Sequence, residues 1–225
     1  MVSPAALHAA LEATWPPAAR HICGPFTLRD GQGGGKRVSA ATLEGDASEA
    51  EIIAAEHAMQ TMGQTPLFMI RAQPALDLAL EARGYARVDP TLFYAAPIEV
   101  VAEAPRPVAL LSCWPPLAIQ RQLWADAGIG ADRLAVMARA SAPRNAFIAR
   151  FRNRAAGVGF AALHDGIAML HALETVPDFR RQGVARYMVR GIADWARSQG
   201  DDLAQAVIER IDTDFINPAK AAGTG

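Results

Sequence analysis

Apolar residues recur along the chain with two alternating periods. Spacings of three and four predict helices over Ala5–Thr14, Ser48–Met62, Ala75–Arg83 and Gly183–Ser198. In the second of these Ile52, Ile53, Ala55, Met59 and Met62 share a stripe. In the last, Val184, Tyr187, Met188, Gly191, Ile192 and Trp195 do. Gly63, Gly84 and Gly200 stand where three of these helices should stop. Short apolar runs predict strands at Phe26–Arg29, Arg37–Leu43 and Leu67–Ile70, and Arg87–Ile98 reads as extended. Further on, Val108–Ser112 reads as a strand and Leu117–Ala140 as one or two helices around Gly128 and Gly130. Three antiparallel strands then follow, Ala146–Arg152, Ala156–Leu163 and Ile167–Val176, turning at Asn153–Arg154 and at His164-Asp165-Gly166. Ala204–Ile208 predicts one more strand. Helices interspersed among strands imply an α/β (α+β) layer fold rather than a bundle or a sandwich.

The 225 residues admit one domain or two compact ones. A seam falls at residues 99–107, EVVAEAPRP, where Pro105 and Pro107 can neither continue a helix nor donate to a ladder. The tripeptide Trp-Pro-Pro occurs once on each side of it, at Trp15–Pro17 and Trp114–Pro116. Expected domains are therefore 1–104 and 105–225.

Charge narrows the function classes. A net charge of −1 argues against a general electrostatic grip on nucleic acid or membrane lipid. The one dense basic run, Arg144, Arg150, Arg152 and Arg154, reads as a solvated strand face. No apolar run approaches the length of a membrane span, and the N-terminus lacks the regions of a signal peptide, so a cytoplasmic protein is expected. Cys23 and Cys113 form no disulfide framework or metal spacing and read as buried thiols, and the five histidines show no pair at ligand spacing. Two glycine-rich stretches are decoys. Gly31–Lys36 lacks the flanking residues of a P-loop, and Gly157–Ala162 fits G-x-G-x-x-A but runs into another strand instead of a helix.

The segment His171–Ala185 carries chemistry. A strand runs into Pro177, an arginine-rich loop follows, and a helix begins at Gly183. Gln182 to Ala185 present main-chain N–H groups at a helix start, beside Arg180 and Arg181, which makes an anion site suited to a diphosphate. Arg180-x-x-Gly183-x-Ala185 in this setting resembles the R/Q-x-x-G-x-G/A motif of the GNAT superfamily of N-acetyltransferases. The resemblance extends from about Asn145 through Ile208. It implies a GNAT fold with a central mixed, mostly antiparallel sheet flanked by helices, and acetyl-CoA as co-substrate, with no metal. It further implies that Gln182, Gly183, Val184 and Ala185 hold the pyrophosphate beside Arg180 and Arg181. Leu173, Glu174 and Thr175 would offer main-chain groups to the pantetheine arm. A narrower stretch, Leu170-His171-Ala172-Leu173, is similar to the strand of arylalkylamine N-acetyltransferases that bears a catalytic histidine.

The implied reaction acetylates a primary amine on a small molecule or peptide terminus. An ammonium must lose its proton before attack, and His171 and Glu174 are both candidate bases. In a regular strand they would face opposite sides, whereas a bulge between them brings both to one cleft. The tail departs from the family pattern. After Asn217 no Tyr and no Gly-Phe follow, so the usual acid for the leaving thiolate is missing, and Tyr187 reads as a packing residue. An acyl-CoA-binding regulatory module without turnover is the alternative. Residues Met62–Ile70, Ala75–Tyr85 and Leu92–Tyr94 resemble the later part of a GNAT domain. The counterpart of its phosphate loop, Leu43–Glu51, carries Glu44, Asp46, Glu49 and Glu51, which repel a pyrophosphate. The first half is thus expected to be a degenerate, non-binding GNAT-like unit. The pattern admits a homodimer and implies no nucleic-acid or membrane partner.

Overall fold

The computed structural model describes residues 2–200, 205–210 and 215–218. The first half runs α1 (Pro4–Thr14), β1 (Ala19–Cys23), β2 (Phe26–Asp30), β3 (Thr42–Leu43), α2 (Glu49–Thr61), β4 (Phe68–Met69), α3 (Pro74–Ala82), β5 (Tyr85–Val88) and β6 (Leu92–Pro97). There follow α4 (Ile98–Val101), β7 (Leu110–Cys113), α5 (Ala118–Asp126), α6 (Ala131–Arg139), β8 (Arg144–Phe151), β9 (Arg154–His164) and β10 (Ile167–Thr175). The chain then forms α7 (Val184–Arg197), β11 (Gln205–Arg210) and β12 (Phe215–Pro218).

Two compact units result, and both are discontinuous in sequence. One holds Met1–Pro16 with Phe93–Glu209, the other Pro17–Leu92 with Arg210–Gly225. A cut between residues 104 and 105 coincides with neither. The helix α1 and the strand β6, from the first half, lie in the unit built mainly by the second, while β12 lies in the other.

The larger unit is a six-stranded sheet of order β6-β11-β10-β9-β8-β7. Strands β7 to β10 pair antiparallel, and β11 joins β10 in parallel. Two-residue turns set the hairpins. Arg152 and Asn153 (φ 51° and 62°) close one, and Asp165 and Gly166 (φ 43° and 71°) the other. Both pairs are left-handed, as the right-handed strand twist demands of such turns. The first turn is thus centred one residue earlier than expected.

Helix α7 buries Val184, Met188 and Ile192 against Phe147, Ala149, Ala161 and Leu170. Glycines let it approach closely. A Cβ on Gly157 would sit 2.8 Å from Met188 Sδ, and one on Gly191 2.6 Å from Leu110 Cδ2. The G-x-G-x-x-A stretch is therefore the buried middle of β9, with its glycines spent on helix packing.

In the other unit the three-stranded sheets β1-β2-β3 and β4-β12-β5 accompany α2 and α3. Phe26, Leu28, Ile52, Met59, Phe68 and Leu80 form its core. Ser48 and Glu51 make a capping box at the start of α2. Only Thr42–Leu43 of the expected strand Arg37–Leu43 is a strand, and Lys36–Val38 is a 3-10 turn. The buried Arg29 explains this, because its guanidinium donates to the Ala40 carbonyl at 2.8 Å and the Thr42 hydroxyl at 3.0 Å. Groups bonded to a side chain need no ladder. The thiols Cys23 and Cys113 are free but half-buried rather than buried, and Cys113 donates to Gln120 Oε1 at 3.0 Å. Among the described residues no helix is long and apolar enough to cross a membrane.

Candidate active site

The site grows from a defect in β10. His171 pairs with Phe160 and Glu174 with Val158, so three steps on β10 match two on β9 and the register shifts between them. One extra residue makes this a β-bulge. Its pivot is Ala172, in the left-handed region at φ 48°. The Ala172 carbonyl accepts a hydrogen bond from the indole N–H of Trp124 at 2.9 Å, and Trp124 on α5 is fully buried. Phe160 and Val158 lie two apart on β9 and share a face. Their partners His171 and Glu174 therefore share it as well.

On that face the two side chains meet different surroundings. His171 is buried, with its ring centroid 4.9 Å from that of Trp15 and 6.2 Å from that of Phe160. Its Nε2 lies 2.9 Å from Thr14 Oγ1. That hydroxyl already donates its proton to the Ala10 carbonyl at 2.6 Å, so toward the imidazole it can only accept. The network assigns the proton to Nε2. The two Trp-Pro-Pro tripeptides also converge here. Trp15 and Trp114 place their rings 6.1 Å and 5.7 Å from Phe160. Glu174 is half-buried. Burial raises its carboxyl above the usual range, against the lowering influence of Arg180 and Arg133.

Beyond the bulge β10 loses its outer partner. The parallel pairing with β11 runs from Ile167↔Gln205 to Leu170↔Ile208, while β10 continues through Thr175. Among the described residues, 171–175 have no strand on that edge, and a wedge opens between β10 and β11. Not every main-chain group there is available. The Thr175 carbonyl accepts from Arg180 Nε at 3.1 Å, and the Glu174 carbonyl lies against Gly157. Leu173, at the bulge itself, has no register partner on β9.

The strand leads through the Pro177–Phe179 turn into the start of α7. Arg181 (φ 60°) and Gly183 (φ 84°) are both left-handed, which folds the loop tightly beneath the helix. The first helical bond runs from Tyr187 N–H to the Gly183 carbonyl at 2.9 Å. The amides before it in the first turn have no partner within the helix. A Cβ built on Gly183 would meet only the tip of Arg186, 4.0 Å away, so the loop faces open space. Gln182, Gly183 and Ala185 are exposed and Val184 is buried as the helix anchor.

The residues expected at the site are therefore contiguous around one strand end and one helix start. Tyr187 is turned elsewhere, toward Arg106 and a cavity on the other flank of α7. Thr14, Trp15 and Trp124 belong to the site and were not expected there. Asn217 lies in β12, paired with Ala86, rather than in the helix the family pattern would continue with. The acidic segment Leu43–Glu51 has Glu51 engaged by Ser48, whose hydrogen bonds lower its carboxyl pKa. No group of three or more His, Cys, Asp or Glu is placed to hold a metal among the described residues.

A sequence model of the acetyltransferase (GNAT) family matches residues 107–211. The fold is that of a GCN5-related N-acetyltransferase from Kribbella flavida (TM-score 0.67, 15% identity, covering 99% of this chain and 98% of that one). A functionally unknown conserved protein from Staphylococcus epidermidis is also similar (TM-score 0.61, 8% identity, 89% and 86% covered). So is a tandem GNAT protein from the clavulanic acid biosynthesis pathway (TM-score 0.54, 10% identity, 95% and 87% covered). Comparison with curated proteins finds no match. Residues 107–211 thus match the acetyltransferase (GNAT) family, and the class of chemistry this match supports is acyl transfer.

Proposed function

We propose that the protein is a cytoplasmic N-acetyltransferase that moves an acetyl group from acetyl-CoA to a primary amine of a small molecule or peptide terminus. One observation carries the reading: the bulged, unpaired edge of β10 runs directly into the amide-rich start of α7. The amides of Gln182–Ala185 would hold the pyrophosphate, helped by the helix dipole and by Arg181. The open space at Gly183 leaves room for it. The pantetheine arm would then lie along the free edge at Leu173, which places the thioester at the bulge.

Glu174 is the better base of the two candidates. Its carboxyl is half-buried beside the wedge, and a raised pKa suits a group that must take a proton near neutrality. His171 is enclosed by aromatic rings and its Nε2–H is committed to Thr14, which suits support of the bulge. In the reaction the amine loses its proton to Glu174, directly or through water. The nitrogen attacks the thioester carbon, the C–S bond breaks, and the nitrogen gives up its second proton as the leaving thiolate takes one up.

A second reading rests on the tail. With Asn217 in a strand and Tyr187 lining another cavity, neither supplies that last proton, so an acyl-CoA-binding module without turnover is the alternative. Free-thiol release from acetyl-CoA against an amine panel separates the two. Release that depends on an amine supports the enzyme, and calorimetric binding without release supports the module. Gly183→Glu should abolish acetyl-CoA binding while the fold persists, since a carboxylate would occupy the anion position. Wild-type affinity in that variant would sink both readings.

A further inference from the structure

A cavity of about 540 Å³ lies on the other flank of α7, away from the β10 edge. Its walls are the β8–β9 hairpin end, the segment 103–109, and one face of α7. On that helix Gly183, Arg186, Tyr187 and Arg190 recur at helical spacing and look into the same space. The lining is dominated by five guanidinium groups, Arg106, Arg150, Arg152, Arg186 and Arg190, against the carboxylate of Glu103. Glu103 is taken up by an ion pair with Arg190. Arg150, Arg152 and Arg186 make no ion pair with a carboxylate among the described residues. In a chain of net charge −1, such a surplus in one concavity is a local construction. The basic strand run accordingly divides. Arg144 stacks on Trp114 and Arg154 on Phe179, while Arg150 and Arg152 line the cavity, Arg152 lying over the Phe151 ring that also lines it.

We propose that this cavity is a phosphate-binding subsite that takes a phosphomonoester dianion. Three guanidinium groups with no carboxylate partner among the described residues, Arg150, Arg152 and Arg186, offer the forked donors that phosphate oxygens accept. Gln182 and Gly183 add the positive end of the α7 dipole, and the Tyr187 hydroxyl adds a neutral donor. The volume falls within the range of small-ligand pockets, roughly 300–1,000 Å³, and is too confined for a nucleic-acid duplex. Two sources share this chemistry. One is the 3′-phosphate of the acyl donor, whose diphosphate the proposed function already sets at the same helix start. The other is a separate phosphorylated molecule.

The test uses the exposed residues Arg152 and Arg186, changed together to Gln so that the core is untouched. Acetyl-CoA, its 3′-dephospho form and adenosine 3′,5′-bisphosphate are titrated calorimetrically into both proteins. If the donor's own phosphate is the occupant, wild type binds acetyl-CoA at least about tenfold more tightly than the dephospho form, the size of one lost charge-assisted hydrogen bond. The double variant then loses that preference and keeps its affinity for the dephospho form. If a separate molecule is the occupant, the two donors bind alike, and adenosine 3′,5′-bisphosphate binds alongside them with an affinity that falls in the variant. Unchanged affinity of the variant for all three overturns the proposal. Phosphate binding that depends on Arg152 and Arg186 in a protein that binds no acetyl-CoA would leave the cavity standing and remove the donor reading instead.

Discussion

His171 and Glu174 share a face of the sheet but are held in opposite ways, and their variants should separate accordingly. If Glu174 is the base, Glu174→Gln lowers kcat by about 10²–10⁴-fold, the range for a positioned acid–base group. The wild-type rate should fall as pH drops through the raised Glu174 pKa, and that limb should vanish in the variant. The same shift has a stability sign. A carboxyl whose folded pKa is raised favours folding below its unfolded pKa, and that contribution disappears as pH rises through the folded value. At neutral pH the Gln variant should therefore melt no lower than wild type. His171→Ala should behave as a loss of packing. Removing the ring between Trp15 and Phe160 and its bond to Thr14 should cost about 1–3 kcal/mol in thermal or denaturant unfolding. Should His171→Ala keep its melting temperature and lose the pH limb while Glu174→Gln stays active, the roles are exchanged.

At the scale of elements, the bulge depends on a helix that does not touch it in sequence. Trp124→Phe keeps most of the buried ring but deletes the donor to the Ala172 carbonyl. The bulge should relax, lowering kcat with little change in acetyl-CoA affinity, because the proposed phosphate contacts lie on α7. Equal losses in kcat and binding would refute a positioning role. This dependence also explains what the sequence disclosed. The helices other than α4 (Ile98–Val101), which falls where a seam was expected, and the strands β8 to β10 were legible because each carries its own period and stop signals. The loop Arg180–Ala185 was legible because its donors are contiguous. Strand β1 shows no alternation, since Arg20, His21 and Ile22 in its middle are all exposed, Ile22 by 77%, so periodicity had nothing to register. Thr14 reaches His171 across 157 positions and Trp124 reaches Ala172 across 48. No local pattern encodes such contacts, since only the assembled sheet creates them.

The whole molecule exchanges elements between its halves. One chain half gives α1 and β6 to the larger unit, and the tail gives β12 to the smaller, where it lies between β4 and β5. The acidic loop Leu43–Glu51 argues for one acetyl-CoA per chain, since Glu51 caps α2 and Glu44 and Asp46 are exposed beside it. A calorimetric stoichiometry of two would contradict this. The position of β12 makes the smaller unit depend on residues far from its own sequence. Phe215 pairs with Met69 on one side and Val88 on the other, and Ile216 with Phe68 and Arg87. Removing residues 215–225 would strip both neighbours of a central ladder and expose edges that short strands cannot hold alone. Hydrogen exchange should then accelerate at Phe68–Met69 and Tyr85–Val88, while β8, β9 and β10 keep their protection. Acetyl-CoA affinity should persist, because the proposed anion site is local to Gln182–Ala185. Unchanged exchange in β4 and β5 would mean that β12 does not supply their pairing, and loss of acetyl-CoA binding would mean that the site depends on the tail.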